Sequence, residues 1–76
     1  MSGLELDCTG MPCPRPIIEL GRHVAEVEVG DVITVIADDP AAAVDVPAWC
    51  RMRSQEYLGA ESDPGGVVRY RVRRLV

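Results

Sequence analysis

The chain has no run approaching about 18 consecutive apolar residues, which excludes a membrane-spanning helix of ordinary length. It has no basic segment followed by an apolar one near its start, where Leu4-Glu5-Leu6-Asp7 comes almost at once. No signal peptide is read there, so a cytoplasmic location away from membranes is expected. Positive charge is scarce: eight arginines and no lysine stand against twelve acids, for a net charge of −4 and a sequence pI of about 4.7. That sign is wrong for a protein held on phosphates, and direct nucleic-acid binding is not expected. Asparagine and phenylalanine are also absent, and Val, Ala and Gly are used heavily, a bias without bearing on activity.

An even cysteine count is missing too. Cys8, Cys13 and Cys50 cannot all pair internally, and a reducing compartment disfavours structural disulfides, so at least one thiol is free. Cys8 and Cys13 stand five apart rather than in C-x2-C spacing, and His23 is the lone histidine. No metal site and no cofactor are expected.

What is present suits one small domain over residues 1–76. An apolar fraction of 47% against 26% charged is that of a soluble core, and too apolar for a disordered tail. At this length folding buries only about 60% of the extended chain's surface, so stability is marginal.

Leu4 to Asp7 alternates apolar and acidic residues as a half-buried edge strand does. Pro14 and Pro16 then precede Ile17, Leu20, Gly21 and Val24, whose spacing predicts a helix from about Pro14 to Glu26. Val32-Ile33-Thr34-Val35-Ile36-Ala37 is nearly all apolar or β-branched and belongs in the middle of a sheet. Asp38-Asp39-Pro40 offers helix-capping acceptors. Because Pro47 would break a helical hydrogen bond, a short turn is expected near Ala41 to Val44, with the main second helix from Asp45 to Arg53. Glu56 to Glu61 and Val67 to Arg73 read as two strands joined by the turn cluster Ser62-Asp63-Pro64-Gly65-Gly66. In the last strand Val68, Tyr70 and Val72 share one face and Arg69, Arg71 and Arg73 the other. The order β-α-β-α-β-β predicts an α+β fold: a two-layer α/β sandwich with a four-stranded mixed sheet and both helices on one face.

The informative stretch is Cys13-Pro14-Arg15-Pro16, where a loop becomes a helix. With Cys13 as N-cap, the prolines fall at the first and third helical positions, which have no intrahelical acceptor to lose. The free N–H groups of Arg15 and Ile17, the positive end of the helix dipole and the Arg15 side chain would then favour thiolate at Cys13. The residues alone leave two readings open, this reactive thiol or a small inert cysteine packed at a helix start.

Leu6-Asp7-Cys8-Thr9-Gly10-Met11 followed by Cys13-Pro14-Arg15-Pro16 resembles the signature of the TusA/SirA-like sulfur-carrier family, small cytoplasmic bacterial proteins with a C-P-x-P motif. The similarity runs on through Gly30-Asp31, Ala37-Asp38-Asp39-Pro40-Ala41, Asp45-Val46-Pro47 and Trp49-Cys50, so it covers essentially the whole chain. It implies the same sandwich fold and a sulfurtransferase role as a persulfide carrier. Cys13 would take a sulfane sulfur from a cysteine desulfurase or rhodanese-like donor and pass it to an acceptor protein, with Pro14, Arg15 and Pro16 in support. Family members serve tRNA thiolation, molybdenum-cofactor synthesis or sulfur metabolism. Two departures stand out. Pro12 removes a backbone donor from the loop before Cys13, with a cis bond there one consequence, and Arg53-Ser54-Gln55-Glu56 replaces a Gly-His-Glu sequence.

Cys8 is the candidate second thiol, able to resolve a persulfide as a disulfide or to form a redox switch with Cys13. The competing reading is a buried strand end. A non-catalytic regulatory binding module is the other alternative. Cys50 beside Trp49 reads as core, His23 as solvated, and Asp38, Asp39 and Asp45 as structural. From Trp49 on there are six Arg against three acids, whereas the preceding part has two Arg against nine acids. Arg69, Arg71 and Arg73 are therefore candidate partner-docking residues. A monomer is expected of such a carrier.

Overall fold

The computed structural model describes residues 3–76. The β-branched run at its centre forms β2 (Val32–Ala37), flanked on one side by the edge strand β1 (Leu4–Asp7). These two strands are parallel, with Leu4 opposite Ile33 and Asp7 opposite Ile36. Parallel neighbours need a crossover, which α1 (Arg15–His23) and a 3-10 turn at Val24–Glu26 supply. After α2 (Ala42–Arg53), strands β3 (Glu56–Ser62) and β4 (Val68–Arg73) form an antiparallel hairpin. β4 then inserts beside β2, giving the order β1-β2-β4-β3. This is the expected α+β sandwich with a mixed four-stranded sheet.

Period-two alternation decides which face carries the helices. Ile33, Val35 and Ala37 of β2 and Tyr70 and Val72 of β4 are buried in one cluster with Leu20 of α1 and Val46, Trp49 and Cys50 of α2. The opposite face holds Arg69, Arg71 and Arg73. Each meets a carboxylate, Glu5, Glu61 and Glu56 respectively, at 3.3, 2.6 and 3.1 Å. The sheet's second face is thereby covered by a cross-strand ion lattice over Val32, Thr34 and Ile36, whose registers match the arginines.

Four elements differ in their boundaries from expectation. The first helix is shorter than Pro14 to Glu26: its α-helical part ends at His23 and the last turn tightens to 3-10. The second helix is a single element from Ala42, with Pro47 inside it and no separate turn. Proline there removes only the bond to the Ala43 carbonyl, and Ala43 is exposed, so water can serve that acceptor. The third strand runs one residue past Glu61 and the fourth begins at Val68. A bulge between Tyr57 and Gly59 shifts the hairpin register by one.

Candidate functional site

The loop between β1 and α1 is held by the acids that follow β2. Asp7 Oδ1 closes the loop's first turn by accepting from the Thr9 N–H at 3.1 Å and the Thr9 hydroxyl at 2.7 Å. Asp38 Oδ1 accepts from the Gly10 N–H at 3.0 Å. Asp39 uses both oxygens: Oδ1 accepts from the Ala41 N–H at 2.9 Å, capping the approach to α2, and Oδ2 accepts from the Cys13 N–H at 2.9 Å. Those backbone bonds hold the Asp39 carboxyl below its usual range, the Ala41 bond most. The cap role expected of Asp39 is present, and the same side chain also fixes the backbone of Cys13.

Cys13 itself is not the helix cap. Pro14 occupies that position and Pro16 is the second helical residue. The cis peptide bond of the loop lies between Cys13 and Pro14, not before Pro12. The N–H groups expected to face the sulfur are engaged elsewhere, Arg15 N–H with the Pro12 carbonyl at 2.9 Å and Ile17 N–H with the Pro14 carbonyl at 3.1 Å. The Arg15 guanidinium reaches Glu19 at 4.0 Å. The Cys13 thiol instead donates to Asp45 Oδ2 at 3.0 Å. That bond, some desolvation and the negative charges of Asp45 and Asp39 push the thiol up from its ordinary value. The expected surroundings of the sulfur are therefore corrected: its partner is a carboxylate, which favours thiol over thiolate, rather than the free N–H groups of the helix terminus.

The same loop geometry leaves the sulfur accessible. Cys13 is the one exposed free thiol among the described residues, while Cys8 and Cys50 are 1% and 2% exposed. Burial pushes the Cys8 thiol up, and raises that of Cys50 to about 11, so both pack as neutral core groups. Cys13, Pro14 and Ile17 form one wall of an apolar groove of about 300 Å³. Asp45, Ala48, Trp49 and Met52 form the other. These four are spaced i, i+3, i+4, i+7 and so share one face of α2, distinct from the Ala42, Val46 and Cys50 face turned to the core. Trp49 serves both faces, and Met52 is 77% exposed at the groove's far end.

Asp45 is the residue that sequence reasoning left out of the site. Its signals were its place in the Asp45-Val46-Pro47 block of the resemblance and in the first turn of α2, which gain meaning once the parallel β1-β2 pairing brings both post-strand loops to the same end of the sheet. His23 is not simply solvated, since it lies between Glu26 at 2.6 Å and Glu19 at 3.4 Å.

The site is thus one exposed thiol at the mouth of a groove, on a loop fixed by the ends of two parallel strands of a small α+β sandwich. A family model described as "Sulfurtransferase TusA" matches residues 4–74. The sulfur carrier protein TusA of Pseudomonas entomophila is 42% identical over 60 residues, 79% of this chain and 75% of that one. A protein of Archaeoglobus fulgidus is 38% identical over 69 residues, 91% of this chain and 90% of its own length. Among solved structures, a SirA-like protein from Desulfitobacterium hafniense superposes with a TM-score of 0.83 at 22% identity, covering 96% of this chain and 99% of that one, which confirms the fold. The chain belongs to the TusA family of sulfur carriers.

Proposed function

We propose that this protein carries a sulfane sulfur as a persulfide on Cys13, loaded by a cysteine desulfurase or rhodanese-like donor and unloaded onto an acceptor protein. The observation that carries this reading is the accessibility of the Cys13 sulfur at the groove, with the other two thiols sealed in the core. In loading, a lone pair of the Cys13 sulfur attacks the outer sulfur of the donor persulfide. The donor's S–S bond breaks and its electron pair leaves on the inner sulfur. The proton given up by Cys13 ends on that sulfur, so R–S–SH plus Cys13–SH becomes R–SH plus Cys13–S–SH. No net oxidation occurs and no redox partner is required. Unloading is the same exchange with the acceptor thiol as attacker.

The apolar groove is the surface we assign to partner docking, since a partner must reach Cys13 across Pro14, Ile17 and Met52. The strip of Arg69, Arg71 and Arg73 on the far face is a second contact surface. Its exposed ion pairs are worth about 0–1 kcal/mol each and can exchange for partner carboxylates. In this reading Pro14 and Pro16 frame the loop, and the exposed Arg15 is a contact for the bound partner.

Incubation with a cysteine desulfurase and cysteine, followed by intact mass measurement, tests the proposal. Wild type should gain one sulfur atom that dithiothreitol removes, and Cys13→Ser should gain none. Absence of an adduct on wild type with both donor classes overturns it.

A further inference from the structure

Thiol exchange needs a sulfur anion, yet the resting Cys13 is held as a thiol by a carboxylate. The carboxylate therefore opposes the ionisation that the exchange uses. We propose that Asp45 is a positioning residue that holds the Cys13 thiol protonated and oriented at the groove, and that a cationic side chain of the docked donor releases the sulfur by neutralising Asp45. This rests on the persulfide reading for its biological meaning, though not for its test.

The geometry is specific. Asp45 Oδ2 lies 3.0 Å from the Cys13 sulfur. Asp45 is in the first turn of α2 and is half-buried, while the Cys13 backbone is fixed independently by Asp39. The charged groups facing the sulfur can be named from each element packed around it. Asp45 comes from α2 and Asp39 from the β2–α2 connection, both raising the thiol, and Arg15 of α1 is turned to Glu19. Among the described residues no guanidinium lies within ion-pair distance of Asp45 or Asp39, which leaves Asp45 open to a cation of a docked partner. Asp45 and Cys13 also line the same groove, so a chain lying in it meets both together.

In this pair the thiol is the donor and the Asp45 carboxyl oxygen the acceptor. Bringing an arginine or lysine of the donor to Asp45 replaces the S–H donor with a charge-assisted pair and removes the repulsion of the sulfur anion. The thiol's proton passes to solvent before the attack and the donor's leaving thiolate takes one up, so the overall balance is that of the exchange above. Small electrophiles, which bring no cation, meet the slower thiol.

Iodoacetamide alkylation of Cys13, followed by peptide mapping from acid to alkaline pH, needs no donor and reads this directly. Asp45→Asn should react several-fold faster at neutral pH, with the midpoint of its pH profile moved down, and Asp45→Glu should stay close to wild type. If Asp45→Asn does not fold, Asp45→Ser carries the same expectation. An unmoved or raised midpoint in the folded variant overturns the proposal, because a purely structural Asp45 would leave the profile where it is. Failure of sulfur loading with the expected alkylation profile would instead strike the persulfide reading alone.

Discussion

Leu20 is fully buried, and with Pro16 it is one of only two buried residues in the nine of α1. Beside these, Ile17 packs partly buried against the same core. Truncating Leu20 to alanine removes its transfer free energy and leaves a cavity in the cluster it shares with Ile33, Val35 and Val72 of the sheet. Leu→Ala changes of this kind cost about 2–5 kcal/mol. A chain of 76 residues at about 0.05–0.15 kcal/mol per residue has about 4–11 kcal/mol in total. Leu20→Ala therefore removes between a fifth of that reserve and all of it. Urea unfolding followed by the fluorescence of Trp49, the single tryptophan, is a suitable assay. The indole packs against α1, its Nε1 lying 3.7 Å from where a Cβ on Gly21 would sit. With an m-value of about 1 kcal/mol/M, the urea midpoint should fall by about 2 M or more. Ile18→Ala, at an exposed position of the same helix, should move stability by no more than about 0.5 kcal/mol. A Leu20→Ala shift as small as that of Ile18→Ala would refute the claim that this one side chain anchors the helix.

Two further outcomes test the framework of the site. Ser54 ends α2 in the left-handed region at φ 60, where a Cβ is disfavoured. Ser54→Gly should raise stability by about 1 kcal/mol, read as a higher urea midpoint, whereas a lower midpoint contradicts the strain argument. The backbone N–H groups of Ala41 and Cys13 hold the folded pKa of Asp39 below the ordinary aspartate value of about 3.9. Its contribution to stability is thus complete above that value and is lost as pH falls through and below it. Asp39→Asn should melt lower than wild type at neutral pH but lose less on acidification, and parallel melting curves for the two proteins across that range would refute the linkage.

The fold was legible in the sequence because its signals are strong and local. The alternation of Val68-Arg69-Tyr70-Arg71-Val72-Arg73 fixes which face is buried, the β-branched run of β2 marks an inner strand, and the order of elements leaves few topologies. Helix ends were less legible, since Pro47 is a strong local breaker that an exposed Ala43 carbonyl renders tolerable. At the site, spacing singled out Cys13 but misjudged its electrostatics. Capping is a local inference, whereas the contacts that decide the state of the sulfur come from Asp39 and Asp45, 26 and 32 residues away. Only the tertiary arrangement of the two loops brings those carboxylates to the thiol, and it reverses the sign expected from the helix terminus alone.

The central claim is that one particular sulfur carries the cargo. After loading with a cysteine desulfurase and cysteine, alkylation under native conditions and peptide mass mapping should place the added sulfur on the peptide holding Cys13, with Cys8 and Cys50 unmodified. An extra sulfur found on either buried cysteine, with Cys13 left as a plain thiol, would contradict the account.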